Sequence, residues 1–511
     1  MDSDKIKKEA LSDSSKFLLK LGEMAAENPS LFQPVVEIVR VGLSILEKPC
    51  ESYNSADPAR HHKMFETAAN LFTGLNSALS SRSFRSIPED IASLQSLAGA
   101  IYEWALVFYE NHFINTGEVM KDKHILLEVC LQLAKLFQSF SLVQELADIM
   151  ATTPGFITRI TMLWIHSIWN GLGIHIYYQP TVISLSSHRH RIQQCLDCNI
   201  PDDIIKTCCS IILTQKWTFS SSELYPMDGP IGFVVSIAGF SDKFRHALVA
   251  KHAASWLCRQ LSIVISKKKD NIDRDPLRSV ELILTGLSRF GLEGPHCIVD
   301  MIDSDIISLL LDCALIPGPR CKKESVRLLE LIAKFLLYRP IIPRVVRCLR
   351  GLDIESQAPD LVRDALVALK EVALLREKKI DWKNGHKLFC KMISRRLLDG
   401  FPPLLNERDR HFIYYIVEQD VRDNEEMIEM LKAEYKGPGV PFVEIDYDVV
   451  PRTIVIKTSE EFRDRELPED HIEHVNDAQS GKIVVGFQAY HTTEELFHAI
   501  VTYPFNWLTI F

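Results

Sequence analysis

Residues 88–108 read PEDIASLQSLAGAIYEWALVF. Leu94, Leu97, Ile101, Trp104, Ala105 and Phe108 recur at three- and four-residue intervals, so a single helix face carries them all. Pro88, Glu89 and Asp90 stand where a first helical turn tolerates proline and favours acids, because its amides lack intrahelical acceptors and the dipole there is positive. The same pattern, an apolar stripe broken by Pro, Gly or Asp, recurs over 32–46, 125–137, 157–169, 204–213, 244–263, 280–290, 306–315, 326–337 and 361–374. Period-two alternation is nearly absent there. Stripes of this length between short breaks suit paired antiparallel helices. The chain is therefore expected to be mainly α, with an irregular armadillo-like or HEAT-like helical-repeat region over 1–376. The alternative is an irregular all-helical domain of another topology.

Composition changes near Gly400. Residues 406–434 read as two more helices, and Gly437-Pro438-Gly439 ends them. Val443, Ile445 and Tyr447 then alternate with Glu444 and Asp446, the mark of a half-buried strand. Residues 454–456 and 483–487 add two β-rich runs, whereas 492–501 reads as a helix capped by Thr492 or Thr493. A small C-terminal α/β (α+β) unit over 400–511 is expected.

Apolar residues make up 47% of the 511 and charged residues 24%, the mix of a folded chain and not of a disordered one. The formal charge of −9 and pI near 6.0 supply no basic footprint for nucleic acid. Lys267, Lys268 and Lys269 are followed at once by Asp270, Asp273 and Asp275, which reads as a solvated loop. The charged N-terminus has no secretory pattern, and the apolar stretches fall short of the ~18 residues of a membrane span. Without an export signal, the twelve cysteines read as reduced thiols, mostly small core residues. A cytoplasmic or nuclear protein is expected, not a secreted one, with neither nucleic acid nor membrane as partner.

Residues 381–390 read DWKNGHKLFC. On a helix His386 and Cys390 would share one face, where a ring nitrogen and a thiolate can meet the same Zn²⁺ with Trp382 alongside. Asp381-Trp382, then His386-Lys387, then Cys390 resembles the final segment of a MYND-type zinc finger. A helical N-terminal region, a finger and a short α/β tail also make the layout similar to that of a group of fungal MYND proteins. The resemblance implies a finger whose eight ligands hold two zinc ions, six cysteines preceding the histidine in two C-x-x-C pairs and one C-x-x-x-C pair. In this chain Ala373 and Glu377 stand where the fifth and sixth cysteines belong, and no cysteine occurs between Cys348 and Cys390. Residues 377–392 thus read as a remnant of the finger. His386 and Cys390 are its residual ligands, expected to be unoccupied because two ligands leave a tetrahedral site half built. Zinc belongs to the intact family, and no cofactor is expected here. The sharp edge between Leu375-Arg376 and Lys379-Ile380-Asp381-Trp382 favours a skipped exon or a gene-model error over gradual decay.

Other reactive residues lack partners in the sequence. Cys195-x-x-Cys198 has no βαβ setting, and Cys208-Cys209 lies in an apolar helix. His188-Arg189-His190, His471-x-x-His474 and Glu495-x-x-His498 are each half of a possible site. An enzyme is not expected. Because MYND fingers also occur inserted in SET-domain methyltransferases, that relative is the alternative, but it needs Asn-His-x-Cys, and Asn111-His112-Phe113-Ile114 fails at the last position. The resemblance and the stacked helices together imply a protein–protein interaction adaptor, its protein partners unnamed; a helical scaffold without zinc is the other alternative.

Overall fold

The computed structural model describes residues 15–45, 58–80, 87–109, 123–170, 175–214, 229–269, 276–316, 318–354, 358–380, 407–437, 439–447, 453–465, 468–479, 483–490 and 496–503. Contacts divide the chain into two compact units, Met1–Lys251 and His252–Phe511.

In the first unit, α1 (Ser15–Glu27), α3 (Pro58–Leu79), α5 (Lys123–Phe140) and α8 (His175–Ser184) pack successively in one layer. The intervening α2 (Phe32–Ile45), α4 (Pro88–Tyr109) and α6 (Gln144–Thr152) pack successively in a second. α7 (Phe156–Trp169) closes on α8, and α9 (Arg189–Gln194), α10 (Asp202–Thr214), α11 (Pro230–Phe240) and α12 (Asp242–Val249) complete the unit. The long helices of the two layers bury one stripe against their neighbours, whereas α11 is buried on nearly every side. Leu94, Leu97, Ile101, Trp104, Ala105 and Phe108 of α4 are all buried. Although α4 has the length and composition of a membrane span, that stripe is core in this unit. Aromatic rings join the helices: Tyr102 of α4 lies 4.8 Å from Phe156 of α7, and Trp104 of α4 meets Phe72 of α3 edge-on at 5.4 Å. The buried hydroxyls of Tyr109 and Tyr178 satisfy each other at 2.8 Å.

The stripe over 244–263 is not one helix. His252, at φ 57°, breaks it between Val249 and Ala253, and Ser241 caps the first piece by accepting from the Phe244 amide at 3.1 Å. Apolar spacing carries across so short a break, so periodicity alone did not reveal it.

In the second unit, α13 (Ala253–Lys269), α14 (Pro276–Gly291), α17 (Pro319–Lys334) and α19 (Asp360–Ile380) pack in succession as the rungs of a ladder. The short α15 (Pro295–Asp303) and α16 (Ile306–Ala314) precede α17, and α18 (Ile342–Arg350) precedes α19 and packs on α15. The last three rungs begin at Pro276, Pro319 and Asp360, steps that fall in the roughly 40–47 residues of armadillo and HEAT repeats, whereas the first rung begins at Ala253, only about half such a step before Pro276. The described residues are thus mainly helical, in an irregular helical-repeat arrangement followed by a small sheet. The boundary drawn at 376 falls inside α19, which runs unbroken to Ile380.

α20 (Glu407–Asp423) and α21 (Glu425–Glu434) lead into a four-stranded sheet of order β2-β1-β3-β4: β1 (Pro441–Asp446), β2 (Thr453–Thr458), β3 (Ile483–Tyr490) and β4 (Leu496–Tyr503). β1 pairs antiparallel with β2 and parallel with β3, the crossover carrying α22 (Pro468–Gln479). β1 is buried on both faces. Phe442 joins Phe462 and Val484 under Val475 and Ala478 of α22, while Val443 and Ile445 share the opposite face with Tyr447, just beyond the strand. As the alternation implied, strands among the described residues occur only beyond Gly437. The helix expected over 492–501 is instead β4, paired antiparallel with β3 from Ile483↔Tyr503 to Tyr490↔Leu496. Ile500, Val501 and Thr502 are β-branched, and a neighbouring strand outweighs the cap signal at Thr492 and Thr493, which lie outside the described residues.

At one place α1 and α3 meet backbone to backbone: a Cβ on Gly22 would strike the Gly74 carbonyl oxygen and lie 2.9 Å from the Ser77 Cβ. Gly22→Val is expected to destabilise the first unit by about 1–3 kcal/mol, because neither the backbone nor the Ser77 Cβ has a rotamer to yield. Calorimetry of the full chain would show the lowest-temperature transition moving down, and an unshifted transition would refute the close approach.

Candidate interaction face

The motif on which the sequence placed metal chemistry, Asp381 to Cys390 with His386 and Cys390, lies outside the described residues. Among the described residues no group of three or more His, Cys, Asp or Glu could hold a metal ion. Cys195 is buried at a single π-helical turn, where loss of solvent pushes its thiol up to about 12, and Cys198 is exposed. Burial likewise pushes Cys208 and Cys209 up to about 12, so these thiols are core groups and not nucleophiles. His471 and His474 lie on α22, and His498 pairs with Gln488 across β3–β4.

What the fold does present is the outer side of the ladder. α17 buries Cys321, Ser325, Leu328, Leu329 and Ile332. Its opposite side follows the same spacing with Arg320, Lys323, Arg327 and Glu330, all exposed, and the half-buried Lys334. On α14 the outward positions are Arg278, Glu281, Thr285 and Arg289; on α19 they are Asp364, Val367, Glu371, Leu375 and Lys378. Two ion pairs on this side are loose. Arg320 Nη1 stands 3.6 Å from Glu281 Oε2, and Arg327 Nη1 stands 3.9 Å from Glu324 Oε2, with both guanidinium groups mostly in solvent. Pairs of this kind contribute little to stability and yield readily to a competing charge.

Tighter polar contacts occur at the edges of the ladder. Arg344 Nε donates to both carboxylate oxygens of Asp303, at 3.0 and 3.1 Å, tying α18 to α15. Arg350 Nη2 donates to Glu377 Oε2 at 2.6 Å, tying α18 to α19. At the end of the ladder the buried Arg376 of α19 lies over the Tyr447 ring, 5.7 Å from its centroid. The Tyr447 hydroxyl donates to Asp420 Oδ2 of α20 at 2.8 Å, and Arg422 donates to Glu418 Oε1 at 2.6 Å. Burial raises the Glu418 carboxyl above the usual carboxylate range, against the pull of Arg422. Arg376, Tyr447 and Asp420 are buried and join the last rung, the end of β1 and α20 in one polar seam, while the exposed Arg422 holds Glu418 within α20. Sequence reading took Tyr447 as a strand residue and had no signal for its partners, which come from helices far away in the chain.

No family profile matches the chain, and no curated protein matches it. Among solved structures, an engineered protein from a structural genomics consortium is 14% identical over 73% of this chain and 99% of its own, at a TM-score of 0.29. SYS-1 is 11% identical over 86% of this chain and 97% of its own, at a TM-score of 0.22. Likeness at this level decides nothing about fold or partner, and the repeat arrangement stands on the packing itself.

Tyr447→Phe would remove the hydroxyl that donates to the buried Asp420 carboxylate. A loss of about 1.5–3 kcal/mol from the second unit is expected, the range for one hydrogen bond to a charged group. Denaturant unfolding compared with Val455→Thr, an exposed change in the same sheet, would reveal it; equal curves would rule out a stabilising seam.

Proposed function

We propose that the chain is a protein-interaction scaffold whose working surface is the outer side of the α14–α17–α19 ladder. The observation that supports this is the stacking itself: three long helices recur at repeat spacing, seal their apolar stripes against their neighbours, and each leave a stripe facing solvent. Consecutive stripes at that spacing make an extended surface on which a partner segment can lie across several rungs. Proteins built this way bind by distributed contacts, with no need for a catalytic constellation.

The resemblance of residues 381–390 adds a second element to this reading. In an intact MYND-type protein the finger would supply a zinc-stabilised module for proline-rich peptides beside the helical region. Here His386 and Cys390 are the residual ligands, and the adaptor role falls to the ladder.

Two measurements test these readings. Full-length chain used as bait should retain specific prey proteins, and a variant altered at one outward position per rung, Thr285→Lys, Arg327→Asp and Glu371→Lys, should lose them without a change in melting. Identical prey from both chains would sink the ladder as the working surface. Elemental analysis of the dialysed full-length protein should find less than stoichiometric zinc, since two ligands do not complete a tetrahedral site. One zinc per chain, lost in His386→Ala or Cys390→Ala, would show that other cysteines complete the finger.

A further inference from the structure

The formal charge of the chain conceals a local reversal. Residues 318–350, which form α17, α18 and their connection, carry nine Lys and Arg against two Glu, inside a chain of net charge −9. On α17 these cations are arranged as a line. Arg320, Lys323 and Arg327 lie on one side of the helix at i, i+3 and i+7, and all are exposed. Neither Lys322 nor Lys323 has a salt-bridge or hydrogen-bond partner among the described residues, while Arg320 and Arg327 are held only at 3.6 and 3.9 Å. Cations exposed this far and paired this loosely stand ready for carboxylates brought from outside.

The adjacent rung has a different character. α19 packs directly on α17, yet Leu361 is 60% exposed and Leu375 43%, two large apolar side chains left in water on a helix whose other side is sealed core. Asp364 and Glu371 lie between them, also exposed. An anion spread over both rungs would be repelled by these two acids. An anion confined to the Arg320–Arg327 stretch of α17, short of the exposed Glu330, with apolar groups directed at α19, would not.

We propose that α17 and α19 hold an acidic amphipathic segment of a partner protein, its carboxylates against Arg320, Lys323 and Arg327 and its apolar side on Leu361 and Leu375. This deepens the scaffold reading and rests on the same ladder. Charge and apolarity must sit on separate sides of the partner, which an amphipathic helix provides through its own 3.6-residue period. Nucleic acid fits less well: its phosphates run without a break, the interleaved acids of α19 oppose them, and its backbone has no use for Leu361 and Leu375.

The test uses the full-length chain and labelled synthetic helix-forming peptides of about 18 residues, roughly five turns, in three forms. One carries Glu on its polar side, one Gln at the same positions, and one Lys. Fluorescence anisotropy should show the Glu peptide binding about ten-fold tighter than the Gln peptide, an advantage that shrinks as salt is raised. Lys323→Glu with Arg327→Glu should erase that advantage. The same charge change placed elsewhere, Lys63→Glu with Lys206→Glu, should leave it intact. Leu361→Ser with Leu375→Ser should weaken the Glu and Gln peptides alike. Equal affinity for Glu and Gln forms, or an advantage that survives Lys323→Glu with Arg327→Glu, would overturn the proposal. So would tighter binding of a duplex oligonucleotide that is indifferent to Leu361→Ser with Leu375→Ser. If the three-rung variant loses its prey while the Glu peptide has no advantage, the ladder remains the working surface and only the acidic partner falls. If the Glu peptide binds as expected while the prey are unchanged by that variant, the acidic site stands and the wider scaffold reading falls.

Discussion

A helix with one apolar side cannot bury that side by itself, and everything in this chain depends on that constraint. α17 illustrates it: Leu328, Leu329 and Ile332 are removed from water only because α14 lies on one flank and α19 on the other. At roughly 25 cal/mol per Å² of apolar area, the stabilisation resides in the interfaces between rungs and not in any rung. Stability in such an array is a chain of nearest-neighbour terms. The close approach of Gly22 to Gly74 belongs to the same economy, since helices that must seal against each other tolerate no side chain where their backbones meet.

The constraint makes the last rung the difficult one. Among the described residues α19 has α17 behind it and no further long helix of the repeat ahead. The small sheet resolves this in part. Tyr447, just beyond β1, lies under Arg376, and Asp420 of α20 accepts from its hydroxyl, so the α/β unit meets the last rung through polar groups. Capping by a sheet uses polar contacts where another helix would have used Leu and Ile. What the cap leaves open, Leu361 and Leu375, is the apolar part of the candidate face.

Much of the fold was legible in the sequence because a 3.6-residue apolar period survives any loop that separates the stripes. The stripe of 88–108, the two helices after 406 and the strands near 443, 454 and 483 all stand where the pattern put them. The repeat period was hidden, since α15 and α16 precede one long rung and only α18 among the full helices precedes the next, which blurs any fixed spacing. β4 was misread because hydrophobicity at 496–501 suits either element, and the deciding factor, pairing with β3, is non-local. The candidate face was hidden for a different reason. Net charge averages over the whole chain, whereas Arg320, Lys323 and Arg327 matter only as a line on one helix; and Leu361 looked like core because the stripe over 361–374 has more apolar positions than α17 and α18 can cover.

The buried cysteines carry a consequence of their own. Cys130, Cys195, Cys208, Cys209, Cys258, Cys297, Cys313 and Cys321 are shut inside the two units, and burial pushes the thiols of Cys130, Cys195, Cys208, Cys209, Cys258, Cys297 and Cys313 up. A thiolate is almost never present at such a site while the helices are closed, so an alkylating reagent reaches it only when the surrounding turn opens. The chain therefore carries built-in clocks along its length. The rate at which each sulfur is capped reports how often its own stretch of helix breathes, and the order in which they are capped would trace the route by which the stack comes apart.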